Sequence, residues 1–381
     1  MANSFAQTND DVLSRIFRLP WIMILIILGL GIFGVAVLYS ATITNTQEAG
    51  LPAQHAVRLG IAFVFLFVLA MTPLGFWSAI SYTLYFGALL LLVGVEFFGA
   101  TGGGAQRWLD IGPIRVQPSE FMKLALLLAL ARFYHQQRAH GDIKFYPHLI
   151  AIVMIAAPVG LVFRQPDLGT SLMLAATGTA VMFFAGLRYW IIILGIVSVV
   201  LTAPVAYFYV LQDYQRERVL TAIDPSRDPL GAGYQIQQAE IAIGSGGYEG
   251  RGYLQGTQSQ LDYIPEQHTD FIFTVIAEEF GFVGSLGLLA AWMSVFALGL
   301  IIASRSRSHF GYLAASGAVV TVAFYVFVNI GMVSGMLPVV GVPMPLISYG
   351  GTAMLTVMAA FAVICAVNLD RDRHLSVSGL F

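Results

Sequence analysis

The sequence predicts an all-α integral membrane protein of about ten transmembrane helices, with one large extracytoplasmic loop between helices seven and eight. Three observations carry this prediction. Of 381 residues, 57% are hydrophobic and only 10% charged, against roughly 25% charged in ordinary soluble domains. Apolar runs near the length of about 20 residues that crosses a hydrocarbon core recur along the chain. Lysine and arginine gather in alternate short loops, the bias that sets orientation.

In order, the runs lie near Trp21–Tyr39, Leu59–Met71, Phe76–Phe97, Ser119–Phe133, Pro147–Phe163, Leu168–Leu187, Tyr189–Val210, Phe271–Ile302, Gly311–Leu337 and Leu346–Val367. The first follows Arg15 and Arg18 and is longer than a signal-peptide core of about 7–15 residues, so it reads as a retained span. The second is expected to start before its apolar core. An inside N-terminus places Arg132, Arg138, Lys144, Arg188, Arg305, Arg307, Arg371 and Arg373 on the cytoplasmic side, and leaves the short opposite loops Ile43–Gln54 and Pro338–Pro345 without a cation. The longer outside segments Gly99–Pro118 and Leu211–Thr269 do carry arginines, but long loops cross regardless of charge. Both termini are therefore expected in the cytoplasm. The chain reads as a single polytopic domain, 1–381, with 211–269 as its large outer loop.

A net charge of −2 with no basic cluster gives no sign of a nucleic-acid partner. Cys365 is the only cysteine, which excludes a disulfide framework, and no His/Cys grouping has zinc spacing.

Charged residues within or beside the spans are Arg58, Glu96, Lys123, Arg164, Asp167, Asp270, Glu278 and Glu279, each toward the expected outer end of its helix. Ionisable groups in hydrocarbon cost several kcal/mol unless paired or hydrated, so these point to one polar cavity opening outward. An alternating-access transporter needs a midplane site, usually between repeated halves. No internal repeat and no inner-leaflet charge is visible, which favours an enzyme acting at the outer surface on a substrate whose tail stays in lipid.

The motifs divide accordingly. GLGIFG, Gly29 to Gly34, matches a dinucleotide-binding pattern but lies inside a span with no preceding strand, so close packing explains it better. In GGAQRWLDIGPIRVQPSEFMK, Pro118 and Glu120 suit a first helical turn, and Lys123 falls on the face of Glu120. That pair is either a local ion pair or a cation kept to meet a phosphate. Arg107 and Trp108 suit a headgroup-level anchor or a lid. Asp167 in RQPDLGTS is a good N-cap. Gly244–Gly252 lacks the lysine and strand of a P-loop and reads as a flexible turn, while IQQAEIAIG has the spacing of an amphipathic helix lying on the membrane. Thr269 or Asp270 could cap helix eight, yet His268, Asp270, Glu278 and Glu279 crowd one helix entrance, and a carboxylate there can act as a general base. NIGMVSGMLPVVGVPMPLISYGG, with three prolines, is expected to fold back into the outer vestibule.

These stretches, together with QPDLGTS, YQRERVLTAIDPSRDPLGAGY, IAIGSGGYEGRG and GTQSQLDYIPEQHTDFIFTVIAEEFG, resemble the SEDS family (shape, elongation, division, sporulation), and GTQSQL favours its elongation-type over its division-type members. Gln267 stands where relatives often have Arg or Ala, and Tyr248-Glu249 interrupts a usually more apolar loop. The resemblance implies a ten-helix peptidoglycan glycosyltransferase in the inner membrane of a bacterium, polymerising lipid II into a β-1,4 glycan strand. It implies Asp270 as the essential acidic residue and Glu120 and Lys123 as a paired acid and base, and it suggests substrate-binding roles for Arg107, Trp108, Gln117, Ser119, Asp167, Arg218, Gln258, Ser259, His268, Thr269 and Ser348. Partners implied are a class B penicillin-binding protein transpeptidase and other elongation-complex proteins. No cofactor is fixed by the motifs; Lys123, Arg218 or a divalent cation, Mg²⁺ or Mn²⁺, is the candidate to stabilise a pyrophosphate leaving group. Alternatives are a lipid II flippase and a scaffold that activates a transpeptidase.

Overall fold

The structure is a computed structural model, and it describes residues 12–102, 105–111, 114–139, 145–209, 215–217, 220–221, 224–228, 231–261 and 263–376. A helix stands at each of the ten expected spans, and the ten are numbered here α1 (Trp21–Thr42), α2 (Leu51–Ala70), α3 (Leu74–Phe98), α4 (Pro118–Ala139), α5 (Phe145–Arg164), α6 (Leu168–Phe184), α7 (Tyr189–Tyr209), α8 (Ile272–Ser304), α9 (His309–Val333) and α10 (Gly351–Leu369). Seven of them, α1, α2, α3, α5 and α8 to α10, are long and apolar enough to cross a membrane on length and composition alone. The second span starts at Leu51, ahead of its apolar core, as expected.

The layering follows from what each helix can bury. α9 and α10 carry small and apolar residues on all sides and are enclosed, whereas α2, α3 and α5 bury one face and turn Val57, Val64, Leu90, Phe86 and Val153 outward. A helix apolar all round belongs in the middle of a bundle or in lipid. α4 is the least apolar of the ten, yet Leu126 to Ala131 are all buried because α3, α6 and α9 surround it.

Local chemistry sets the helix starts. Pro118 opens α4, and Asp167 caps α6 by accepting from the Thr170 N–H at 3.2 Å. Ser308 caps α9 at the other end of the bundle. Beside it Asp370 accepts from the Leu74 N–H at 2.8 Å and lies 3.6 Å from both Arg15 and Arg373, tying the ends of the chain to α3.

Two features were not foreseen. Residues between α3 and α4 form a small antiparallel sheet, β1 (Ala100–Gly102), β2 (Ala105–Ile111) and β3 (Ile114–Val116), in which Asp110 sits opposite Arg115. α8 is also broken: Gly281 has φ 63° and ψ −160°, so its two pieces meet at a kink.

Candidate active site

The end of the bundle carrying the sheet, the starts of α4, α6, α8 and α10, and the polypeptide between α7 and α8 is called here the loop end. Its deepest element is the segment between α9 and α10. Val340, Val342, Met344, Leu346 and Ile347 are buried, and the Leu346 carbonyl accepts from His55 Nε2 at 3.0 Å. A side chain at Gly34, well inside α1, would lie 2.6 Å from the Leu346 oxygen. The glycine pattern read as close packing is therefore a contact between a span and a folded-back segment, which is tolerated at membrane depth because it is buried in protein.

Asp270 stands at the mouth of α8, one residue before the cap position. The cap position is Phe271, with no side-chain bond to the helix start. A Cβ at Gly341 would lie 3.3 Å from Asp270 Oδ2. Asn329, fully buried in α9, donates at 2.8 Å to both the Asp270 carbonyl and the Val342 carbonyl. The strip Val340–Val342 thus fixes the backbone of Asp270. On its other side Val340 touches Gly169 in the first turn of α6, beside Asp167.

Asp167 gathers two other sequence-predicted residues. Its carboxylate accepts from Gln117 Nε2 at 3.4 Å and lies 3.8 Å from Arg107 Nε, while Arg107 also donates to the Pro166 carbonyl. The capping role and the ion pair coexist. Trp108 follows on β2, half-buried and opposite Ala100, and Ser119 is buried in the first turn of α4.

One turn deeper, Lys123 Nζ donates to Glu120 Oε1 at 2.7 Å and to the Tyr325 hydroxyl at 2.6 Å, and lies 4.2 Å from the centre of the Tyr325 ring. Tyr325 in turn donates to Glu120 Oε2. All three are buried, Lys123 at 1% exposure. A cation so enclosed is neutralised where it sits, and a phosphate could reach it only by displacing Glu120. Tyr325 and the folded-back segment border a cavity of about 10 Å³.

The remaining predicted residues brace loops. His268 Nδ1 lies 3.4 Å from Glu48, and its carbonyl accepts from the Tyr349 N–H at 2.9 Å. Thr269 donates to Glu266 at 2.7 Å. The Ser348 hydroxyl accepts from the Met344 N–H at 2.8 Å and is buried. Arg218 lies outside the described residues.

Glu278 and Glu279 are almost wholly buried, at 0% and 1% exposure. Glu278 accepts from the backbone of Gln258 at 2.8 Å and of Ser259 at 3.1 Å, and from the Thr257 hydroxyl at 3.2 Å. Glu279 accepts from Ser40 and from the Leu254 N–H at 3.2 Å. Gln258 and Ser259 therefore enter this arrangement through their N–H groups. The glycine-rich piece is not the flexible turn expected: Arg251 and Gly252 donate to the Glu278 and Glu279 carbonyls, and Phe282 and Val283 donate to those of Gly247 and Tyr248, at 2.9 to 3.1 Å. These are backbone groups that the kink at Gly281 sets free, and buried backbone must find partners. The helix predicted from IQQAEIAIG is present over Ala232–Gly246, and it packs Ile236, Ala239 and Ala242 into the protein against α8.

Sequence reasoning passed over Asn329, Tyr325 and Tyr349. A lone asparagine inside an apolar run was a usable signal; the tyrosines gave none, since tyrosine is common in membrane helices. Among the described residues no group of three His, Cys, Asp or Glu side chains converges to hold a metal. An apolar groove of about 720 Å³, lined by Leu28, Ile32 and Tyr39 of α1, Pro52 and Phe63 of α2, and Tyr253, opens to the side of the bundle.

Comparison with known proteins gives a consistent picture. The cell cycle protein family FtsW/RodA/SpoVE matches residues 20–373. Peptidoglycan glycosyltransferase MrdB of Escherichia coli K12 is 45% identical over 349 residues, covering 92% of this chain and 93% of that protein. A probable peptidoglycan glycosyltransferase FtsW of Idiomarina loihiensis is 35% identical over 354 residues, 90% and 85% of the two chains. Among solved structures, a chain of a peptidoglycan synthase complex superposes with a TM-score of 0.80 at 32% identity, covering 93% of this chain and 98% of that one. The rod shape determining protein RodA of Thermus thermophilus gives 0.70 at 27%, with coverage of 93% and 98%.

Proposed function

The chain belongs to the FtsW/RodA/SpoVE cell cycle protein family, and from that membership and the geometry above we propose that it is a peptidoglycan glycosyltransferase polymerising lipid II, with Asp270 as general base. One observation carries the assignment to Asp270. Its carboxylate stands at the start of α8, one residue before the cap position, while Asn329 donates to its carbonyl and to that of Val342, holding its backbone against the folded-back segment.

In the proposed reaction Asp270 takes the proton from the acceptor sugar's 4-hydroxyl as that oxygen attacks the anomeric carbon, and the polyprenyl pyrophosphate departs from the opposite face. An α-linked donor then yields a β-1,4 bond by inversion. Asp167, Arg107 and Gln117, which hold one another at the start of α6, are proposed to contact the substrate. Glu120 and Lys123 act on the site through Tyr325 and the segment above it, because the ammonium is enclosed. The lateral groove between α1 and α2 has the chemistry to take a hydrocarbon tail.

A Mg²⁺ or Mn²⁺ ion would have to draw most of its ligands from the pyrophosphate and water, as Mg²⁺ commonly does; no step above depends on it. The loop end is proposed to face outward and both termini the cytoplasm, on the lysine and arginine count. A class B penicillin-binding protein transpeptidase and other elongation-complex proteins are the proposed partners.

The test is polymerisation of lipid II by purified protein. Asp270→Asn should abolish strand formation, a loss of about 10²–10⁴-fold in rate for a general base, with the melting temperature unchanged. Full activity of that variant would remove the base assignment, and lipid II movement across liposomes without polymerisation would instead support the flippase.

A further inference from the structure

Among the described residues of the folded-back segment, Leu346 alone combines a side chain with a positive φ, 64°. A residue other than glycine is uncommon in that left-handed region, and it persists there only where its surroundings fix it. Two helices do so here. A Cβ at Gly34 of α1 would lie 2.6 Å from the Leu346 oxygen and 2.7 Å from the Ile347 Cα, so α1 bounds the turn on one side. From α2, His55 Nε2 donates to the Leu346 carbonyl at 3.0 Å.

His55 is wholly enclosed, at 0% exposure. A carbonyl can only accept, so the proton is assigned to Nε2, and Nδ1 is left as a bare acceptor. Nδ1 is buried and has no hydrogen-bond partner among the described residues, a cost that an apolar ring at this position would not carry. What the imidazole supplies, and a phenyl ring could not, is the bond to Leu346.

That bond leads toward Asp270. The Met344 N–H donates to the Ser348 hydroxyl at 2.8 Å and the Ser348 N–H to the Met344 carbonyl at 3.0 Å, closing residues 344–348 into one turn around Leu346. At its end the Tyr349 N–H donates to the His268 carbonyl at 2.9 Å, and the Tyr349 hydroxyl donates to Gln54, the neighbour of His55 on α2, at 2.7 Å. His268 is two residues from Asp270. We propose that His55 is a positioning residue for the transfer reaction: by holding the Leu346 carbonyl it fixes the turn that carries Tyr349, and through Tyr349 the stretch 268–270 that presents the base. It is a second tether, separate from Asn329, which holds the Asp270 carbonyl from α9. The proposal rests on the glycosyltransferase reading, in which displacing the base by about 1 Å is enough to slow the reaction.

Hydrogen exchange and turnover test this separately, on full-length protein in nanodiscs. His55→Phe keeps a ring of similar shape and removes the donor, while His55→Gln returns an N–H near the place of Nε2. Exchange at the Tyr349 amide should be about tenfold faster or more in His55→Phe protein, with the interior amides of α2 and α9 as protected as in the parent, and His55→Gln should restore most of the protection. In the same His55→Phe protein kcat for lipid II should fall about tenfold or more, with KM near the parent value, and His55→Gln should recover most of the rate. Parental exchange at Tyr349 in folded His55→Phe protein overturns the proposal whatever the activity shows, and so does a kcat that is unchanged or equally low in the Phe and Gln variants. Should His55→Phe not fold, His55→Asn takes its place, because its amide N–H stops a bond short of the carbonyl; equal Tyr349 exchange in the Asn and Gln variants then overturns the proposal. If unsubstituted protein does not polymerise lipid II, the glycosyltransferase reading fails, and exchange at Tyr349 still decides whether His55 holds the stretch.

Discussion

Lys123 and Glu120 meet at 2.7 Å with less than 5% of either residue exposed, and Tyr325 closes the pair from α9. Removing one member leaves the other as an unpaired buried charge, a loss of about 3–5 kcal/mol, while replacing both is far milder. Glu120→Gln and Lys123→Met should therefore each lower the melting temperature sharply, and the double variant should recover most of the difference. Polymerisation should stay reduced in the double variant, because Tyr325 loses the contacts that set its place under the folded-back segment. Strictly additive melting losses would show that the two charges do not act as a pair.

Asn329 makes two carbonyl bonds of 2.8 Å that join α8's entrance to the segment before α10. Asn329→Leu keeps the volume and removes both donors. Asp270 then keeps its chemistry but loses its setting, so kcat should fall about tenfold or more, as misplacement by about 1 Å can cost. KM for lipid II should hold nearly constant. A change confined to KM would place Asn329 in substrate binding instead.

The spans were legible because about 20 apolar residues in a row admit few other structures, and Asp270 stood out as a candidate because a carboxylate at a helix entrance is conspicuous in so apolar a chain. The pairings were not. The Arg58 guanidinium lies over the Tyr349 ring, 4.4 Å from its centre, across 291 positions of sequence, and nothing local in α2 reveals that partner. The sheet over residues 100–116 escaped because two of its strands have only three residues and the seven of β2, AQRWLDI, do not alternate apolar with polar. Glu278 and Glu279 were visible as charges but not as acceptors, since their donors are backbone N–H groups that exist at every residue.

Glu278 supplies the acceptor for Thr257, Gln258 and Ser259. Glu278→Ala strands these donors, at about 1–3 kcal/mol for each that remains buried, so the loop should detach from α8 before the bundle unfolds. Trypsin should then cut after the exposed Arg251, whose own N–H is bound to the Glu278 carbonyl at 3.0 Å, much faster than in the parent protein. Glu278→Gln, retaining one acceptor oxygen, should fall between. Unchanged cleavage in the Ala variant would mean that backbone contacts alone secure the loop.

Gly281 is where helix and loop depend on each other most. Its φ of 63° with ψ −160° lies in a region open essentially to glycine, and a side chain there costs about 1–3 kcal/mol in backbone strain. Sterics add to this: a Cβ would lie 2.3 Å from the Gly250 nitrogen and 2.8 Å from the Tyr248 oxygen, both backbone atoms that cannot swing away. Gly281→Ala should therefore expel the stretch from Tyr248 to Gly252 and free the carbonyls of Glu278 and Glu279. Hydrogen exchange should accelerate at Arg251, Gly252, Phe282 and Val283 together, because their bonds form one set. Gly244→Ala is the matched control: it lies in the helix Ala232–Gly246 with nothing within 4 Å of its Cβ position. Alanine is favoured over glycine by about 0.5–1 kcal/mol within a helix, so that variant should be as stable as the parent or slightly more so. If both substitutions were equally tolerated, the kink would not depend on the loop that fills it.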